Sequence, residues 1–113
     1  MNIEKFKIMQ ILVNLITNAK DAILQSKNKN PTIILRIRSL KENRIELTVQ
    51  DNGIGISEDQ NKKIFSYGFT TKKTGHGFGL HSCALTAKEM GGKLTVHSAG
   101  HKLGAKFVLI IPK

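Results

Sequence analysis

The chain of 113 residues has no tryptophan, one tyrosine, a single cysteine and few acidic side chains. The lone Cys83 excludes an internal disulfide and fits a reducing compartment. No apolar run approaches the roughly 20 residues that cross a bilayer. The opening Met1-Asn2-Ile3-Glu4-Lys5 has no apolar signal segment, so nothing in it directs secretion. Eight Asp and Glu stand against 18 Lys and Arg, giving a net charge of +10 that favours an anionic partner: nucleic acid, nucleotide phosphates or an acidic protein surface. The scarcity of aromatics weighs against the first. A nucleic-acid module needs a basic stripe with stacking rings, and here the lysines are dispersed while the phenylalanines fit core positions or a loop.

What is present is the composition of a soluble globular domain, 40% hydrophobic and 23% charged, of a size for one domain with a modest core. Residues 1–113 are expected to be a single domain. The first helix begins almost at residue 1, so the expectation is a piece of a longer protein.

Periodicity divides the chain into helix, two strands, long loop, helix, two strands. From Glu4 to Ser26 a helix is expected, with Ile8, Leu12, Leu15, Ile16, Ala19 and Ile23 on one face and Gln10, Asn14, Thr17, Asn18 and Asp21 on the opposite one. Asn and Asp are poor interior helix residues, and a plain solvated face in so basic a chain should be rich in lysine. Ile33, Leu35 and Ile37 alternate with Ile34, Arg36 and Arg38 as a strand. Lys41-Glu42-Asn43 form a turn, and Ile45, Leu47, Val49 and Asp51 mark the inward side of the return strand. No clear period follows from Asn52 to about Phe78, where only Glu58 to Phe65 suits a short helix; so long a loop in a small domain is usually functional or mobile. A second helix is expected from about Phe78 to Met90, with Leu80, Cys83, Ala84, Ala87 and Met90 inward and Gly91-Gly92 as its stop. Leu94, Val96 and Ser98 alternate as a strand, Ala99 to Gly104 turn it, and Ala105, Phe107, Leu109 and Ile111 return it before Pro112 ends it. Two hairpins with helices on one face predict a two-layer α/β sandwich.

Three features carry chemistry. Asp51 arrives at the end of an apolar strand face just before Asn52-Gly53-Ile54-Gly55-Ile56, and a buried acid needs a partner. A turn in which Asp51 caps its own backbone explains this, and so does a carboxylate waiting for a ligand amine, with Gly53 and Gly55 letting the ligand lie against the backbone. Gly75-His76-Gly77-Phe78-Gly79-Leu80 opens a helix, where free N–H groups favour phosphate. Its G-x-G-x-G spacing after a loop does not fit the dinucleotide fold, and no Gly-Lys-Ser or Gly-Lys-Thr ends it as in a P-loop. Lys72 and Lys73 sit beside it. The third feature is the Asn14, Asn18, Asp21 stripe. Asn oxygens ligate Mg²⁺, which takes few protein ligands and keeps substrate phosphates and waters. Together these describe an ATP site without a P-loop.

These stretches resemble, in order and at family spacing, the boxes of the GHKL (Bergerat-fold) ATPases in their sensor histidine kinase form. Gln10-Ile-Leu-Val-Asn14-Leu-Ile-Thr-Asn18-Ala-Lys-Asp21-Ala22 resembles the N box, and Asp51 to Ile56 the G1 box. Ile64-Phe65-Ser-Tyr-Gly-Phe69-Thr-Thr71-Lys72 resembles the F box, and Gly75 to Leu80 the G2 box. Met90-Gly91-Gly92 and Gly104-Ala105-Lys106-Phe107 are similar to the family's closing segments. The resemblance implies helices on one face of a mixed, mostly antiparallel sheet, with an ATP lid at about 57–78. It implies that Asn18 ligates Mg²⁺, that Asp51 holds the adenine amino group, that Gly53 and Gly55 pass the base, and that Phe65 and Phe69 anchor the lid. Lys72, Gly75, Gly77 and Gly79 would contact the phosphates and Leu80 pack near the nucleotide, while Asp21, Ile56 and Thr71 belong to the same binding set. Asn14 stands where water-activating relatives carry a glutamate base. An amide takes no proton at neutral pH, which favours phosphoryl transfer to a histidine, with Asn14 and Lys72 as the catalytic pair.

The implied activity is that of a protein-histidine kinase using ATP and Mg²⁺. Its implied partners are a histidine-containing dimerisation domain, absent here, and a response regulator downstream. No nucleic acid is expected; the full protein would be a homodimer, with this domain cytoplasmic and membrane anchoring of the whole left open. A serine-directed anti-sigma kinase shares the fold, but the Gln10–Asn18 pattern and the tail favour the histidine kinase. Three departures from the family pattern stand out: Asp21 where Lys is common, Ala105 for the usual Thr, and His76 and Phe78 in the glycine turn. None of His76, His81, His97 and His101 has the acidic and proline neighbours of a family phosphoacceptor, and no acidic or cysteine partners complete a zinc site.

Overall fold

Apolar side chains at helical spacing and at alternate positions dictate two layers. The computed structural model describes residues 3–27, 29–56, 79–98 and 104–112. The elements are α1 (Ile3–Ser26), β1 (Ile33–Leu40), β2 (Arg44–Asp51), α2 (Gly79–Glu89), β3 (Lys93–His97) and β4 (Ala105–Pro112). The short helix expected at Glu58–Phe65, the lid at 57–78 and most of the turn at Ala99–Gly104 lie outside the described residues.

Two hairpins, β1–β2 and β3–β4, join through an antiparallel β2–β4 pair, giving the order β1-β2-β4-β3. Every pairing among the described residues is antiparallel, so the mixed character expected of the sheet is not seen there. Pro112, expected as a terminator, is the last residue of β4 and faces Arg44 across the ladder. The inward parity of β2 and β4 is as read from the alternation: Leu47, Val49, Asp51, Ala105, Phe107, Leu109 and Ile111 are buried.

Helix α1 is rotated from its expected setting. Its buried stripe runs through Ile11, Leu15 and Ala19, with Ile8, Leu12 and Ile16 packed against the core and Ile23 half-buried. Ile11, absent from the expected face, is 1% exposed because α1 is covered by α2 as well as by the sheet. The same rotation leaves Asn14, Asn18 and Asp21 half-buried on the border of the stripe, while Gln10 and Thr17 face solvent. The far side of α1 instead carries exposed Phe6, Val13 and Leu24.

Helix α2 buries Cys83 and Ala87, as its period predicts. Its end is a Schellman motif: Gly91 N–H donates to the Lys88 carbonyl (3.0 Å) and Gly92 N–H to that of Ala87 (2.8 Å). Gly91 sits at φ 81°, the left-handed conformation that this cap requires.

Strand β1 lies at the sheet edge. Ile33, Leu35 and Ile37 stand opposite Asp51, Val49 and Leu47 on the helix side, yet they are 38%, 56% and 76% exposed, because α1 covers β2 and hardly reaches β1. Identical alternation therefore has different energetic weight in neighbouring strands. Val49→Ala should cost about 2–3 kcal/mol, the loss of a fully buried side chain plus its cavity. Ile37→Thr should change stability by less than about 0.5 kcal/mol. Urea denaturation of the two variants checks this ordering, and equal losses would contradict it.

Candidate functional site

The site grows from the end of β2. Asp51 is 6% exposed, and its Oδ1 accepts the Gly53 N–H at 2.8 Å. The carboxyl also accepts the Ala105 backbone N–H from the neighbouring strand. Burial nevertheless wins, holding this carboxyl above the ordinary carboxylate range against both hydrogen bonds. The Asx turn onto Gly53 is the local capping expected of Asp-Asn-Gly.

The turn is seated on α1. Ile54 N–H donates to the Ala22 carbonyl at 3.0 Å. A Cβ on Gly53 would lie 2.5 Å from the Ala22 carbonyl carbon and 2.7 Å from Ile23 N. Those are backbone atoms and cannot swing aside, so Gly53 is fixed by close approach to the helix, a role that its expected part in passing the base did not include. Asn52 locks the other flank: its Oδ1 accepts the Thr32 N–H (2.9 Å) and its Nδ2 donates to the Asn30 carbonyl (2.7 Å). Gly104 N–H donates to the Gly53 carbonyl at 3.2 Å, tying in the start of β4.

Because Ala22 follows Asp21, the turn abuts one end of the Asn14–Asn18–Asp21 stripe. At the other end Asn14 Nδ2 donates to the Gln10 carbonyl (3.1 Å), and the Asn14 side chain hydrogen-bonds Cys83 of α2. Burial pushes the Cys83 thiol up to about 11 despite that bond, so it is an inert packing group. A groove of about 450 Å³ opens there, bordered by Phe6, Met9, Val13, Asn14, Cys83 and Thr86. A cleft of about 300 Å³ lies at the strand ends, with Asp51, His97, Ser98, Gly104, Ala105 and Lys106 among its walls.

Asn14, Asn18 and Asp21 share one stripe of α1, whose Asp21 end meets the turn that carries Gly53, Gly55 and Ile56 after Asp51; Asn14 borders the groove at the other end and Asp51 the cleft at the strand ends. Gly79 is the first residue of α2, and Leu80 is half-buried against the core. Phe65, Phe69, Thr71, Lys72, Gly75 and Gly77 lie outside the described residues. The stripe is oxygen-bearing, and no group of three or more His, Cys, Asp or Glu gathers among the described residues. That donor set suits a hard cation sharing few protein ligands with a substrate, not a dedicated protein cage. Sequence reasoning missed Asn52, Ser98 and the Asn14–Cys83 contact. Ser98 shared the signal that marked Asp51, a polar residue arriving on the inward parity of a strand.

A family model for the histidine kinase-, DNA gyrase B-, and HSP90-like ATPases matches residues 4–113. The chain is 37% identical over 94% of its length to the sensor protein CitS of Halalkalibacterium halodurans, of which it covers 20%. It spans about a fifth to a quarter of the length of the curated relatives it matches. The solved catalytic domain of histidine kinase ThkA is 32% identical with a TM-score of 0.80, over 96% of this chain and 67% of that one. Full-length ShkA, solved in complex with AMPPNP, is 25% identical with a TM-score of 0.79, over 94% of this chain and 21% of that one. The family match over residues 4–113, the identity to CitS and the likeness to ThkA together show that the chain belongs to the histidine kinase-, DNA gyrase B-, and HSP90-like ATPase family, as a catalytic domain of the sensor histidine kinase type.

Proposed function

We propose that residues 1–113 form one domain that binds Mg·ATP and delivers its γ-phosphoryl group to a histidine on a separate dimerisation domain, within a longer homodimeric sensor kinase. The transferred group then passes to a response regulator. The observation that carries this reading is Asp51, buried, anchored by two backbone N–H groups and still short of full solvation. The AMPPNP complex of ShkA supports a nucleotide as the ligand. Among the described residues no helix is long and apolar enough to cross a membrane, so any anchor of the whole protein would lie in other segments.

The chemistry follows from the groups present. Asp51 is an acceptor. It attracts the exocyclic amine of adenine and repels the carbonyl oxygen that guanine presents at the same ring position. Asn18 offers an amide oxygen to Mg²⁺, which neutralises phosphate charge when bound with ATP. Asp21 sits beside the Asp51 turn on the same stripe. Asn14 orients without deprotonating anything, so water is not activated and the incoming histidine nitrogen is its own nucleophile; it attacks phosphorus, and ADP departs. Ile56 and Gly55 flank the base, while Gly79 opens α2, whose N–H groups face anionic phosphate favourably. Lys72, Thr71, Gly75 and Gly77 are assigned to phosphate contact, and Phe65 and Phe69 to the lid at 57–78, by their likeness to the family boxes alone, since all lie outside the described residues. The domain alone should bind nucleotide yet turn over almost none, since its acceptor is on another domain.

Asp51→Asn should lower ADP affinity about 10- to 100-fold, the loss expected for a hydrogen bond to a charged group. Calorimetric titration of ADP beside GDP reads this, and unchanged ADP binding would sink the assignment. The raised carboxyl also fixes a pH dependence. A buried acid with elevated pKa favours folding in its protonated form, an advantage present below the ordinary carboxylate range and lost as pH rises through the raised value. The stability of the natural chain relative to Asp51→Asn should therefore rise on acidification, and a difference independent of pH in urea titrations would contradict the burial.

Asn18→Ala should abolish the gain in ATP-analogue affinity that Mg²⁺ confers, leaving Mg²⁺-free ADP binding nearly intact. Titrations with and without Mg²⁺ separate these effects, and a retained Mg²⁺ gain would remove Asn18 from the metal site.

A further inference from the structure

The Asp51 end of the site is closed by a hydroxyl outside the four boxes. Ser98 follows β3 at the inward parity of Leu94 and Val96, and it is half-buried. Its Oγ accepts the Ile56 N–H at 3.0 Å and donates to the Gly104 carbonyl at 2.6 Å. Ile56 belongs to the turn that follows Asp51. Gly104 precedes Ala105, whose N–H binds the Asp51 carboxyl, and Gly104 N–H in turn holds the Gly53 carbonyl. The 53–56 turn, distant in sequence, thus meets the end of β3 and the start of β4 at one oxygen.

We propose that Ser98 is a positioning residue for adenine: its hydroxyl fixes the 53–56 turn against β4, so that the Asp51 carboxylate and the backbone beside it are set for the base before it arrives. This rests on the adenine reading of Asp51. Ser98 acts through Ile56 and Gly104. A hydroxyl suits the task because one oxygen both donates and accepts; alanine does neither, and a thiol does both weakly. Ala105 supplies a backbone N–H but no hydroxyl of its own, so a side-chain hydroxyl at this corner comes from the neighbouring strand. Holding a binding group in place beforehand removes an ordering cost from association.

The test compares Ser98→Ala, Ser98→Cys and Ser98→Thr with the natural 113-residue chain. In Ser98→Ala the Ile56 amide should exchange with solvent about 3- to 10-fold faster, and ADP affinity should fall by a similar factor, as for one lost hydrogen bond. The preference for ADP over GDP should narrow by the same factor, a change that mere loss of global stability does not produce. Ser98→Thr, which keeps the hydroxyl, should restore all three. Ser98→Cys keeps the volume and weakens the bonds, so it should behave like alanine and stands in if Ser98→Ala does not fold. Natural ADP affinity and discrimination in folded Ser98→Ala or Ser98→Cys would overturn the role of Ser98 while leaving the adenine site standing. Failure of the natural chain to prefer ADP over GDP would instead overturn the adenine reading itself, and the role of Ser98 with it.

Discussion

The arrangement depends on a carboxyl that the fold buries against two backbone donors at a net desolvation cost. Two backbone N–H groups, from Gly53 and Ala105, point at Asp51, yet desolvation still outweighs them. A buried charge in that condition gains more from one further donor than an exposed one does, because the lower local dielectric strengthens each hydrogen bond. The fold holds this condition rigidly. Asp51 ends β2, which is paired on both sides, and the next residues lie on the α1 backbone so closely that Gly53 has no room for a side chain. In the proposed reading this local destabilisation is what prepares Asp51 to bind an amine, the common exchange of stability for function at a site.

Packing of α1 explains the second half of the site. A helix lying on a sheet alone has one buried stripe and a solvated back. With α2 against its flank, α1 buries Ile11 as well and draws Asn14, Asn18 and Asp21 to half-burial. Half-buried amides are held in few orientations while still reaching solvent, which suits ligation of a hydrated cation better than full exposure or full burial would. The Asn14–Cys83 contact fixes the same stripe from α2. A single helix orientation therefore serves both the core and the site.

The hairpins, the inward parity of β2 and β4, the stop at Gly91-Gly92 and the place of Asp51 were legible because each depends on local periodicity or on a residue with one dominant conformational use. The face of α1 was legible only in part: Leu15 and Ala19 follow from the period, but Ile11 is buried by a helix that begins at Gly79, and no window around residue 11 contains that information. The exposure of Ile33, Leu35 and Ile37 was hidden for the same reason, since alternation states which side a residue faces and not whether anything covers it. Ser98 and Asn52 act by hydrogen bonds to segments far away in sequence, with Ser98 reaching back to Ile56 and Asn52 to Asn30 and Thr32. The family boxes named the residues expected to meet ligand; Asn52 stands inside one box without a role of its own there, and Ser98 lies outside all four.

The two ends of the site are built from different materials. Around Asp51 the contacts are backbone to backbone or through one short side chain, on paired strands, and such groups lose little freedom when a ligand arrives. Along the stripe, recognition rests on amide and carboxylate side chains of a helix surface, each with rotamers to give up. The proposed function therefore places base selection at the rigid end, where a misplaced carbonyl cannot be accommodated. Under the same proposal the stripe would serve a nucleotide with and without its terminal phosphate, and adjustable side chains suit that better than a fixed cage. A kinase domain that retains adenine while phosphoryl chemistry proceeds at the far end of the same molecule needs that division, and under the proposed function it would follow here from placing one end on a sheet and the other on a helix.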